Sequence, residues 1–96
     1  MEFEWDTVKN EANKKKHGFG FRDAPQVLEG EHIVFPSPKG EEERWGAIGI
    51  INGCHVVVFY TMRGTKHRII SIRRARENEK RKYRELYQSG DSESTE

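Results

Sequence analysis

The chain has 96 residues, 33% of them hydrophobic, and a mean hydropathy of −0.94, which limits it to one small domain whose thin core rests on ten aromatic side chains. No apolar run approaches the roughly 20 residues that cross a bilayer, no basic-then-apolar start suggests a signal peptide, and a single cysteine, Cys54, excludes an intrachain disulfide or a Cys-based zinc site. The formal charge of +1 hides an asymmetry: residues 63–84 hold ten Lys/Arg and two Asp/Glu, a net +8, while the rest of the chain nets −7. A soluble cytoplasmic domain with a polyanionic partner is therefore expected, and so little apolar material suits a chain completed by a permanent protein partner.

Phe3 and Trp5 alternate with Glu2 and Glu4, which reads as a short opening strand or an extended apolar anchor. Asp6 stands where an N-cap belongs, Lys14, Lys15 and Lys16 load the far end with positive charge, and Gly18 supplies a left-handed stop, so a helix is expected over 7–17. Trp5, Val8 and Ala12 would form its narrow apolar stripe. Phe21, Ala24, Val27 and Leu28 keep helical spacing, and Pro25 fits the first turn of a short second helix over 23–29, capped by Asp23 and closed by Gly30.

After Gly30 the period changes. His32–Phe35 is β-like, residues 36–40 form a loop, and Arg44–Ile51 and Cys54–Tyr60 flank Asn52-Gly53, a two-residue hairpin signal because both turn positions need positive φ. Val56–Tyr60 is apolar on both faces and reads as a central strand. Residues 62–65 make the next turn and His67–Ile72 a further strand, with Arg68 and Ile70 on one face and His67, Ile69 and Ser71 on the other. From Ala75 to Tyr87 the chain is helical and basic, and residues 89–96 form a polar acidic tail expected to be disordered. The single domain spans 1–88. The fold class is α+β, a small antiparallel sheet of roughly four strands with two N-terminal helices and a C-terminal basic helix.

Generic chemistry narrows quickly. Cys54 and His55 sit on a strand end and read as packing. None of the four histidines has ligand-pair spacing, so no metal and no cofactor is expected, and Gly18-Phe19-Gly20 lacks the βαβ context of a phosphate loop. Arg73, Arg74 and Arg76 mark a strand-to-helix junction where several guanidiniums can surround one phosphate. Lys80, Arg81, Lys82 and Arg84 read as a solvated helix face. An arginine within a strand is costly to bury alone, so Arg68 and Arg73 should either face a cleft or meet a carboxylate such as Glu43. His17, at a helix C-terminus that stabilises an imidazolium, is open to two roles, acid or phosphate ligand on one side and helix cap on the other.

Phe3-Glu4-Trp5-Asp6 with Lys9, Asn13, Lys16-His17-Gly18, Phe21 and Ala24, followed by Glu43-Arg44, Ile48-Gly49, Val56–Thr61, Arg63-Gly64 and Arg68–Ala75 with Glu79 and Tyr83, resembles the BrnT family of toxins from type II toxin–antitoxin pairs. The likeness covers residues 2–87 and departs at Ile72, where alanine is usual, and at Pro25. It implies a RelE/ParE-like fold with helices on one side of the sheet, and metal-independent RNA cleavage that arrests translation through attack of a ribose 2′-oxygen on its own phosphodiester. Positions carried over are His17, Glu43, Arg68 and Arg73 for catalysis and Lys16, Arg44, Tyr60, Arg63 and Arg74 for RNA binding. The implied partner is a ribbon–helix–helix antitoxin resembling BrnA, with promoter DNA bound only by the toxin–antitoxin complex. Two competing readings are a non-catalytic RNA- or DNA-binding module and a ParE-like toxin acting on DNA topology.

Overall fold

A computed structural model describes residues 1–88; the acidic tail, 89–96, lies outside the described residues. Five strands, β1 (Glu2–Glu4), β2 (Ile33–Pro36), β3 (Trp45–Ile51), β4 (Cys54–Arg63) and β5 (Lys66–Arg74), form one sheet in the order β1-β5-β4-β3-β2. Three helices accompany it: α1 (Thr7–His17), α2 (Ala24–Leu28), entered through a 3-10 turn at Phe21–Asp23, and α3 (Glu77–Tyr87). The expected α+β class and element order hold, with two corrections. The sheet has five strands, and it is mixed, because Glu2–Glu4 pairs in parallel with Lys66–Arg68. The alternation of Glu2 to Trp5 leaves a short strand and an extended anchor both open; the parallel pairing with β5 makes it a strand.

Local physics explains the elements. Asp6 accepts from the backbone N–H groups of Val8 (2.8 Å) and Lys9 (3.1 Å), and Gly18, at φ 82°, donates to Lys14 O, so α1 begins and ends as its caps dictate. The Asp6 carboxyl is held below its usual range by those backbone donors. Asp23 occupies the cap position of α2 without a side-chain hydrogen bond, and Pro25 lies in the first turn. Asn52 (φ 48°) and Gly53 (φ 83°) close the β3–β4 hairpin.

Val56, Val57 and Val58 are fully buried, so the central strand must be covered on both sides. One face packs Val56, Val58 and Ile72 against Phe21, Ala24, Val27 and Leu28; the other sets Ile48 and Val57 against Ala75 and Tyr83. The helices therefore occupy opposite faces, which corrects the one-sided arrangement implied by the resemblance. The apolar stripe of α1 is also corrected: Val8 is 76% exposed, and the buried residue of the helix is Asn13. Asn13 Nδ2 donates to Ile72 O (3.0 Å) and Phe19 O (2.9 Å), while its Oδ1 accepts from Ile72 N (3.1 Å). One amide side chain thus completes the β5 edge beyond the reach of β1, and fixes α1 to the sheet by polar pairing.

Candidate functional site

The site is set by one irregularity. Ser71 pairs with Phe59 and Ile69 with Tyr60, leaving Ile70 as an extra residue in β5. This β-bulge reverses the alternation expected there. Ser71 shares a face with Arg68, not with Ile69, and Arg73 joins them, since Thr61, Phe59 and Val57, their β4 partners, alternate onto one side. An unbroken strand would send Arg68 and Arg73, five residues apart, to opposite faces.

On that face Ala75, just before α3, and Tyr83 of α3 pack on Val57 and Ile48, with Ile33, Phe35, Ile50 and Phe59 partly buried around them, and the face beyond, around Ile70 and Ser71, is only partly covered. Two cavities meet over the bulge at Ile70 and Ser71. One, of about 320 Å³, is bounded by Ser37, Pro38, Lys39, Arg44 and Phe59; the other, of about 230 Å³, by Lys9, Asn13, Lys16 and His17 of α1. Together they make a groove with a helix on one bank and the β2–β3 loop on the other. That loop is itself ordered, Ser37 N donating to Arg44 O (2.8 Å) and Lys39 and Glu42 exchanging backbone bonds.

The groove is cationic. Glu42 hydrogen-bonds the Arg44 guanidinium, which holds its carboxyl below the usual range against a desolvation that raises it; the charges of Arg44, Arg63 and Lys9 add to the lowering. Lys9 and Lys16 of α1 and Lys39 and Arg44 of the loop line the two cavities, and Arg63 at the end of β4 stands on the same face. A hollow of about 440 Å³, larger than either of these, lies elsewhere, along α1 by Val8 and Ala12. It is lined by a single helix, whereas the groove gathers side chains from α1, the β2–β3 loop, β4 and β5, so the groove is the better site.

Arg68 and Arg73 sit at the two ends of this face, each with a carboxylate partner. Arg68 Nη1 bonds Glu4 Oε2 at 2.9 Å, and Arg73 forms a two-pronged pair with Glu79 (Nη1–Oε1 2.9 Å, Nη2–Oε2 3.0 Å) while lying 5.1 Å from the Phe59 ring centroid. Glu79 Oε1 also accepts from Arg76 N (2.7 Å), so one carboxylate ties the start of α3 to β5. The Arg73 hydrogen bond holds the Glu79 carboxyl below its usual range, outweighing the burial that raises it. The expected alternative of a carboxylate partner is realised, but by Glu4 and Glu79 and not by Glu43.

Among the other expected residues, Lys16, His17 and Arg44 line the groove, and Arg63 stands on the same face. Glu43 is exposed beside Trp45 and Pro36, in a smaller hollow of about 130 Å³ that adjoins the groove at Pro38 and Arg44, and its backbone carbonyl accepts from Thr61 Oγ1 (2.7 Å). Two expected RNA contacts fall on the opposite face. Tyr60 is 8% exposed and packed between Trp45 and His67, its hydroxyl pKa pushed up by burial. Arg74 donates to Cys54 Sγ (3.1 Å) and lies over Phe19, far along the strand from the bulge. Phe59, Ser71 and Lys39 join the site without any local sequence signal, because the bulge and the loop pairing gather them.

Among the described residues, no three His, Cys, Asp or Glu side chains come together as a metal-binding group, and no helix is long and apolar enough to cross a membrane. No curated protein matches the chain. A family model described as the ribonuclease toxin BrnT of type II toxin–antitoxin systems matches residues 5–79, a span that contains α1, the whole of β2 to β5 and the Arg73–Glu79 clamp. Four of the five strands, the bulge and the groove lie within that match, and the chain belongs to the BrnT family of ribonuclease toxins.

Proposed function

We propose that the groove is the RNA-cleaving site and that cleavage proceeds without a metal ion. A ribose 2′-oxygen attacks the adjacent phosphorus, the bond to the 5′-oxygen of the next nucleotide breaks, and a cyclic phosphate and a 5′-hydroxyl are left. The step needs a base for the 2′-hydroxyl, cations for the phosphorane charge and an acid for the departing oxygen. His17, on the α1 bank, handles the protons, with Glu43 as the second candidate from the loop side. Lys16, Arg44 and Arg63 hold the RNA backbone. Arg68 and Arg73 stabilise phosphate charge through the guanidinium N–H groups, of five on each, that are left over by Glu4 for Arg68 and by Glu79 and the Arg74 carbonyl for Arg73.

The observation that carries this reading is the bulge at Ile70, which puts Arg68, Ser71 and Arg73 on the face bordered by Lys16, His17 and Arg44. Family membership implies an antitoxin partner. In this reading it is a ribbon–helix–helix protein that covers the cationic groove with acidic or helical contacts, and only the complex binds promoter DNA in the cytoplasm.

The test is incubation of purified protein with RNA in excess chelator. Cleavage is expected, falling about 10²- to 10⁴-fold in His17→Ala if its proton transfer is lost. Intact RNA in a retarded gel band would identify a non-catalytic binder, and intact RNA with altered DNA supercoiling a ParE-like activity. Full cleavage by His17→Ala, Arg68→Ala and Arg73→Ala alike would remove the site.

A further inference from the structure

Phe59 belongs to the central strand, yet it lies at the margin of the cluster that α3 covers. Helix α3 buries Val57 on the same face, while Phe59, further along the strand, is only partly buried and forms a wall of the 320 Å³ cavity. The ring is fixed. Phe35 meets it edge to face at 6.2 Å and 89°, and the Arg73 guanidinium lies 5.1 Å from its centroid. Gly46 permits this arrangement, since a Cβ there would come within 2.4 Å of Phe35 Cζ.

The cavity around this ring is chemically mixed. Pro38 and Ile70 add apolar surface, Ser37 and Ser71 supply hydroxyls that both donate and accept, and Arg44 adds a fixed cation. Its volume is at the lower end of the roughly 300–1,000 Å³ typical of small-ligand pockets. A polyanion held by charge alone needs the cations and gains nothing from a rigid aromatic wall. A planar ring bearing polar edges and joined to a phosphate uses every part.

We infer that the Phe59 cavity is a nucleobase subsite, which takes one unpaired base of single-stranded RNA against the Phe59 ring while Arg44 meets the attached phosphate. Base–aromatic contact of this kind is tolerant of sequence, and the Ser37 and Ser71 hydroxyls supply donors and acceptors for the polar base edge. The inference rests on the reading of the groove as an RNA site, but not on its cleaving RNA.

The test is titration of the full chain with adenosine monophosphate, uridine monophosphate and ribose 5-phosphate, followed by NMR. Ribose 5-phosphate keeps the sugar and phosphate and lacks the base. At least one nucleotide should bind roughly 5- to 150-fold more tightly than ribose 5-phosphate, shifting the Phe59 ring protons, and Phe59→Leu should erase the difference. Ser71→Leu, which fills the cavity and leaves Phe59 in place, should erase it too, and serves if Phe59→Leu does not fold. Equal affinity for all three probes, or a nucleotide preference that survives in both variants, would overturn the subsite. A chain that prefers nucleotides but cleaves no RNA would keep the subsite and lose the catalytic proposal; cleavage without any base preference would do the reverse.

Discussion

Replacing Asn13 with alanine should destabilise the fold more than any single charge removal in the groove. The amide makes three hydrogen bonds, and two of them serve the buried N–H and C=O of Ile72 at the sheet edge. Each bond contributes a net of about 0.5–1.5 kcal/mol, and a buried backbone group stranded without a partner costs about 1–3 kcal/mol. The loss is then on the order of 3–5 kcal/mol, a large part of the roughly 5–15 kcal/mol available to a small domain. At about 4–8 °C per kcal/mol for a domain of this size, the melting temperature should fall by at least about 12 °C. Thermal unfolding by circular dichroism measures the loss, and amide exchange at Ile72 locates it. Asn13→Asp sharpens the test. A carboxylate still accepts from Ile72 N but faces two carbonyl oxygens, which raises its folded-state pKa, so the variant should be most stable below the unfolded value of about 3.9 and lose stability as pH rises through the folded value. An Asn13→Ala protein within 1 kcal/mol of the parent on the usual ~1 kcal/mol scale of a single bond, with Ile72 exchange unchanged, would refute the edge-completion argument.

Other expected outcomes follow from the same geometry. Glu79→Gln breaks the two-pronged clamp on Arg73 and should cost about 1–3 kcal/mol; because the Glu79 carboxyl is held low, its contribution is complete above the ordinary value of 4.5 and is lost as pH falls through the folded-state value, so parent and variant melting curves should converge in acid. Gly49→Ala puts a Cβ 2.8 Å from Val27 Cγ1, between β3 and a buried, stiff side chain, and should cost about 1–3 kcal/mol by denaturant unfolding with no change in RNA affinity at constant fold. Lys16→Ala should reduce the slope of log K against log salt for single-stranded RNA by about 0.7, the signature of one lost phosphate contact, whereas Tyr60→Phe, on the far face, should leave that slope unchanged.

Much of the architecture was legible in the chain because it is written in local terms. Asp6 and Gly18 bound α1, Asn52-Gly53 sets the β3–β4 hairpin, and Val56–Val58 marks a strand buried on both faces; each depends on backbone preferences or side-chain period within a few residues. The concentration of Arg and Lys after Met62 and the family likeness were equally visible. Non-local pairing alone decided the rest. β1 is a strand through its alignment with β5, some sixty positions later in the chain. Arg68 finds Glu4 across that same pairing, so no spacing rule connects them. The apolar pattern of α1 misled because the helix meets a sheet edge, where unpaired N–H and C=O groups demand an amide, and not a sheet face, where they would be spent. The bulge at Ile70 is the sharpest case. A single residue left out of register between β4 and β5 turns Ser71 and Arg73 onto the face of Arg68, and register belongs to two strands together, not to either sequence by itself.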